Sequence, residues 1–176
     1  MTRLLLLRHA KSDWSEGGTD DHERPLNARG RDAAARIGRY LKAHGLVPDM
    51  IVCSTARRTV ETLMLALAEV GQAPEVFYDR ALYLAAPERM LEVALAHAHA
   101  RAGADAAPST LMIVGHNPGT EILATALARA GDPALIAKLQ AKYPSGGLAV
   151  LACADGLAGI AAGGLLEGFV VPRELS

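Results

Sequence analysis

The sequence predicts an α/β fold of three layers: an αβα sandwich around a mostly parallel central sheet with an antiparallel edge. Three observations carry this. Three short apolar runs, "LLLL" (4–7), "MIVC" (50–53) and "LMIV" (111–114), do not alternate polar with apolar residues. Runs of that kind are strands buried on both faces, as in a parallel sheet. Helical patterns lie between and after them, and strand–helix–strand–helix order is the signature of layered α/β domains.

The elements follow in order. After the first strand, residues 28–44 place Ile37, Tyr40 and Leu41 on one helical face, with Asn27 as cap and Gly45 as stop. Residues 56–70 carry Val60, Leu63, Leu67 and Val70 and end before Gly71. Pro87–Arg101 is a third helix, with Met90, Leu91, Ala94 and Leu95 as its stripe. Residues 118–129 form a fourth, with Pro118 as first residue after an Asn117 cap. Beyond Tyr143, "GGLAVLACADG" and "LAGIAAGG" read as two strands of an edge hairpin turning at Asp155–Gly156. "GGLLEGFVVPREL" adds a last strand or an extended tail. No linker or repeat divides residues 1–176, so a single domain is expected. The longest polar loop, 15–26, leaves the first strand just past His9, where it can fold over that residue.

Bulk composition narrows the function classes. With 18 basic and 19 acidic residues, the chain has no electrostatic reason to bind nucleic acid or a membrane surface. "LLLL" is too short for a signal peptide, and Arg8, His9 and Lys11 follow at once. No apolar stretch approaches the ~18 residues of a membrane span. Cys53 and Cys153 form no CxxC and no metal-like spacing with histidine. They read as reduced core residues, although sequence leaves a pairing open. A cytoplasmic protein is expected. No coiled-coil pattern argues for an oligomer, so a monomer is the default expectation.

All three buried runs end in polar residues suited to an anion. The first gives Arg8–His9, the second Ser54–Thr55–Ala56–Arg57–Arg58, the third Gly115–His116–Asn117–Pro118. Ligands of open α/β sheets bind at the carboxyl ends of the strands. Parallel strands would therefore gather Arg8, His9, one of Arg57 and Arg58, and His116 in one cleft. Helix N-termini aimed there would add positive field. No Asp or Glu stands beside the histidines as a magnesium ligand, and there is no P-loop, HExxH or Gly-x-Ser-x-Gly. Neither metal nor other cofactor is expected. A neutral histidine can attack phosphorus directly, with cations spread over the phosphoryl oxygens.

"LLLLRHAKSDW", "CSTARRTVET" and "IVGHNPG" resemble, in order, the RHG signature, the catalytic-arginine segment and the second-histidine motif of the histidine phosphatase superfamily, which has the phosphoglycerate mutase-like fold. The short RHA start, the "GHNP" motif, "ERPLNARG" (23–30) and "YPSGGLAVL" (143–151) resemble its SixA-type phosphohistidine phosphatase branch. The resemblance spans nearly the whole chain. It implies that His9 is the nucleophile. It also implies that Arg8, Arg58 and a cationic His116 hold the phosphoryl oxygens. Arg58 is preferred to Arg57 because it lies four residues after Ser54, as in the family. Arg57 would then face solvent or substrate. Thr62 falls at the family's helix threonine. Ser12 occupies a position close to the phosphate, and Asn117 is assigned with Ser12 and Arg57 to substrate binding. Ala10 replaces the usual glycine, as in this branch. Ser15 stands where the mutase branch commonly has asparagine.

Mutases and phosphomonoesterases of the superfamily protonate the leaving oxygen with a carboxylic acid. In the matching region here, 79–93, Asp79 and Glu88 are the candidates, and no carboxylate falls at Tyr83–Ala85, where the acid is expected. Glu88 is explained by its place in the first helical turn. A phosphohistidine leaves as imidazole and has less need of an acid. The remaining histidines read as structural. His97 and His99 face different sides of a helix, His44 suits a helix C-terminus, and His22 is a loop residue. Trp14 and Arg24–Pro25–Leu26 shape the rim or pack the loop. The expected partner is a phosphorylated protein, such as a histidine phosphotransfer domain. Two alternatives stand beside that reading: a phosphatase of small phosphate monoesters, and a phospho-binding module without catalysis.

Overall fold

The computed structural model describes residues 1–15, 20–104 and 106–175. Loop residues 16–19 of the expected covering segment lie outside the described residues. The elements that position the functional residues begin with β1 (Thr2–Arg8), α1 (Ala28–Ala43), β2 (Met50–Ser54) and α2 (Arg57–Val70). They continue with β3 (Glu75–Asp79), α3 (Pro87–Ala104), β4 (Thr110–Gly115) and α4 (Gly119–Leu127). The chain then forms β5 (Ala128–Gly131), α5 (Pro133–Ala141), β6 (Leu148–Cys153), α6 (Gly156–Ile160) and β7 (Gly164–Val170).

The sheet order is β3-β2-β4-β1-β6-β7-β5. The four leucines of β1 explain the three layers. Leu4 and Leu6 point into one core with Met90, Leu123 and Leu157 of α3, α4 and α6. Leu5 and Leu7 point into the other with Ile37 and Leu63 of α1 and α2. Alternate side chains of a strand face opposite ways, so a strand covered on both faces must be apolar throughout. The two helices of the second core cross closely. A Cβ at Gly38 would stand 2.1 Å from the Ala66 carbonyl oxygen, and one at Gly30 would stand 2.1 Å from that of Lys11. The second contact seats the start of α1 against the segment leaving β1.

The three-layer α/β class holds, with one change of plan. Only β6 runs antiparallel, and it lies inside the sheet, between β1 and β7, rather than at its edge. The edge beyond is β5, parallel to β7. The partner of β6 is therefore β7. "LAGI" of the expected hairpin is helical instead, because Leu157 and Ile160, three apart, both reach the core. Helix 118–129 stops at Leu127, where β5 begins, and Asp132 then caps α5 through the Ala134 and Leu135 N–H groups. β3, half-buried and polar at both ends, lacks the apolar run by which the central strands were read. Cys53 and Cys153 belong to the cores on opposite faces of the sheet, which rules out a bond between them. Among the described residues no helix is long and apolar enough to cross a membrane.

Candidate active site

Arg8 pairs with Gly115 in the β1–β4 register, so β1 and β4 end side by side. The His9 N–H then donates to the Gly115 carbonyl (3.1 Å), placing His9 and His116 with ring centroids 5.3 Å apart. β2, on the other side of β4, delivers Ser54 and the first turn of α2. Thr62 ties that helix to the β1 end: its hydroxyl accepts the Ala10 N–H (3.0 Å) and donates to the Arg58 carbonyl (2.6 Å). Behind the site, the buried Tyr143 hydroxyl bridges β1 and β6, donating to Leu6 O and accepting from Ala149 N.

His9 is buried and neutral. Its Nδ1 lies 2.7 Å from the Ala10 carbonyl oxygen. A carbonyl can only accept, so Nδ1 carries the proton and Nε2 keeps the lone pair. Burial first, and then the charges of Arg58, Arg8 and Arg24, lower the His9 pKa to about 4. In each of these three arginines the Nε–H is buried and has no acceptor among the described residues. Buried donors are satisfied almost without exception in native proteins, and three around one imidazole suit an anion placed before Nε2.

Arg58 is 1% exposed. Its Nη2 donates to His116 Nδ1 (3.3 Å) and Asp21 Oδ2 (3.0 Å), and its Nη1 donates to Asp21 O (2.5 Å). Because a guanidinium only donates, His116 Nδ1 is an acceptor and its Nε2–H points at Ser54 Oγ (2.8 Å). His116 is thus neutral, its pKa lowered to about 3 by burial, then by His9 and Arg58. The cation implied by the resemblance is not the form this surrounding favours.

The other expected residues divide. Arg8 Nη1 donates to the Tyr143 carbonyl (2.7 Å). Ser12 Oγ accepts from Arg24 Nη1 (2.9 Å), so it holds an arginine of the ring. Asn117 does not cap α4. Its Nδ2 donates to Glu121 and to the same Tyr143 carbonyl, and its Oδ1 is buried with no partner among the described residues. Arg57 pairs with Glu61 one turn along α2, while Glu61 also accepts the Leu26 N–H. Glu88 is exposed in the first turn of α3, and Asp79 caps the turn after β3 and pairs with His97. Neither is placed beside His9. Among the described residues no group of three or more His, Cys, Asp or Glu side chains is set to hold a metal ion.

Sequence reasoning missed three members. Arg24 lies against Asp21 (2.7 Å), Ser12 and the Trp14 ring (3.5 Å to the centroid). Asp21 is a carboxylate whose charge acts on His116, bound by Arg58, Arg24 and the Tyr83 hydroxyl (2.6 Å). The Tyr83 hydrogen bond and the two arginines lower its pKa to about 2, so it is ionised and no proton donor at neutral pH. Tyr83 stands where an acid was expected, its ring edge-on to His116 at 5.5 Å. Its phenol is pushed above the usual range by burial and by Asp21. The signal in the sequence was the acidic loop before Arg24, but its contacts span 37 and 62 residues and leave no local pattern.

These values set a pH dependence. Protonating His9 Nε2 removes its lone pair, so reactivity is lost as pH falls through the depressed pKa. The acidic limb of kcat/KM is expected near pH 4, well below the ordinary 6.5. A pH profile with a substrate of known ionisation checks this, and a limb above pH 6 would contradict the buried neutral imidazole.

The sequence profile of the histidine phosphatase superfamily (branch 1) matches residues 4–83. An uncharacterised protein of Mycobacterium tuberculosis is 38% identical over 170 residues, 95% of this chain and 100% of its own. Two solved structures are each 30% identical to this chain. One, from Agrobacterium tumefaciens, has TM-score 0.77 with 97% of this chain and 98% of its own covered. The other, from Nakamurella multipartitia, has TM-score 0.78 with 97% and 96% covered. Each is described as a putative phosphohistidine phosphatase SixA.

Proposed function

Given that this chain belongs to the histidine phosphatase superfamily, in its SixA-type branch, we propose that it hydrolyses phosphohistidine on a signalling protein such as a histidine phosphotransfer domain in the cytoplasm. The observation that carries the reading is the neutral His9 Nε2 within a ring of three arginines, each keeping a buried Nε–H without an acceptor among the described residues. Nε2 attacks phosphorus in line. The bond from phosphorus to the substrate nitrogen breaks, its electron pair stays on that imidazole, and solvent supplies the proton. The Ala10 carbonyl steadies the positive charge that grows on His9 through Nδ1–H. Water then attacks the phosphorylated His9, gives its proton to solvent, and the P–N electron pair returns to Nε2. Arg8, Arg58 and Arg24 stabilise the three phosphoryl oxygens through both steps. His116, neutral before the anion arrives, donates if protonated by the incoming phosphoryl group.

The nitrogen-linked substrate is supported by the lack, among the described residues, of a carboxylic acid placed to protonate a leaving oxygen. Asp21 is ionised, Asp79 and Glu88 are engaged or exposed elsewhere, and the Tyr83 hydroxyl donates its hydrogen bond to Asp21. An alkoxide leaving group would forgo roughly 10²–10⁴ of general-acid assistance, whereas imidazole departs without it. The test compares kcat/KM on a phosphohistidine-bearing phosphotransfer domain with that on a panel of alkyl phosphates. Faster release from phosphohistidine is expected. Fast turnover of one alkyl phosphate with phosphohistidine ignored would replace this reading with the small-ester phosphatase.

A further inference from the structure

A groove of about 600 Å³ on the flank of the active site shares Arg8 with it. Six of the chain's 18 Lys and Arg residues line it: Arg8, Lys11, Arg29, Arg36, Lys142 and Arg173. They arrive from the β1 exit, α1, the α5–β6 turn and the C-terminal segment. On a chain of net charge −1 this is a marked asymmetry. Among the described residues one carboxylate, Asp32, faces them, and it is paired with Arg36 at 2.8 Å. Lys11, Arg29, Lys142 and Arg173 are exposed and have no hydrogen-bond or ion-pair partner among the described residues. The groove is also wired to the nucleophile. Pro144 and Ser145 form its wall, and the turn they begin binds the backbone next to them, with Gly147 O accepting Arg8 N–H and Gly146 N–H donating to His9 O.

We infer that this groove docks an acidic surface of the phosphoprotein substrate, orienting the phosphohistidine toward His9. This rests on the reading of the active site given above. The form of the groove favours a protein surface over a small polyanion. A compact phosphate pocket converges desolvated donors on one point, as the arginine ring around His9 does. Here the four cations without a partner among the described residues are exposed, long and spread over four chain segments. Such charges contribute little singly. Together they steer and orient a broad surface of opposite sign, with a strong dependence on salt.

The test uses the charge reversal Lys11→Glu/Arg29→Glu/Lys142→Glu/Arg173→Glu, with the corresponding four Gln substitutions as a milder second variant. None of the four touches the reacting atoms. Substrates are an acidic histidine phosphotransfer domain carrying phosphohistidine, and phosphoramidate, which has the same P–N bond and no surface. On the domain, kcat/KM should fall by about tenfold or more through KM, and the steep salt dependence of the native protein should flatten. Phosphoramidate turnover should stay within about twofold. Equal rates on the domain would overturn the docking role. So would an equal loss on both substrates, which would mean a field effect at His9. A native preference for a small bisphosphate, lost in the variant, would also overturn it and assign the groove to small polyanions. Isothermal titration with the unphosphorylated domain reads the groove apart from the chemistry: native binding that the variant loses supports docking, and no native binding at low salt overturns it. Native protein inert to both P–N substrates would defeat the functional reading, with the titration still deciding the groove.

Discussion

His9→Asn is expected to lose at least roughly four orders of magnitude in turnover of any phosphorylated substrate, because no other group in the site can take its place. His116 is 5.3 Å away, but its lone pair faces Arg58 and its N–H faces Ser54. The variant also loses the covalent intermediate. Native protein quenched during turnover should carry one acid-labile, base-stable phosphoryl group, and His9→Asn should carry none. Asparagine is smaller than histidine and polar, so the fold should persist, and thermal unfolding alongside the assay separates lost chemistry from lost structure. Residual turnover within tenfold of native would remove His9 from the nucleophile's role.

Arg58→Ala should have the second largest effect, a fall in kcat of roughly 10²–10³, the usual result of removing one preorganised donor from developing negative charge. Arg58→Lys should recover little. Lysine cannot reach Asp21, His116 and a phosphoryl oxygen at once, since it lacks the planar fork. A second readout distinguishes Arg58 from a merely structural residue. Its charge lowers the pKa of both His9 and His116, so removing it should move the acidic limb of the pH profile upward. The movement should be partial, because burial is the larger cause at both histidines. Unchanged kcat with an unchanged limb would count against the arrangement. Arg57→Ala provides the contrast, since its guanidinium pairs with Glu61.

The Asp21–Arg58 contact changes how the site is understood. A loop carboxylate lies on the same guanidinium that the incoming phosphoryl group requires, and it is held there by Arg24 and Tyr83 as well. Arg58 meets it through both Nη groups and keeps Nε–H for another acceptor. Asp21 therefore orients the fork without consuming all of it. It also offsets part of the positive charge that would otherwise be buried beside two histidines.

The sequence by itself determined the class of fold and the heart of the site. "LLLL", "MIVC" and "LMIV" read as doubly covered strands, because a continuous apolar run leaves no face for water and each run is short. Their polar ends, Arg8–His9, Ser54–Arg58 and His116, had to meet because parallel strands end on the same side. Only tertiary structure decided the rest. β6 runs against its neighbours inside the sheet, and nothing in six apolar residues records direction. "LAGI" became a helix because the core accepted Leu157 and Ile160 together. The neutrality of both histidines follows from burial, which the residue types do not encode. Arg24, Asp21 and Tyr83 entered the site through contacts between distant segments. So did the basic groove, whose six cations are scattered from residue 8 to residue 173 and become one surface only when the chain folds.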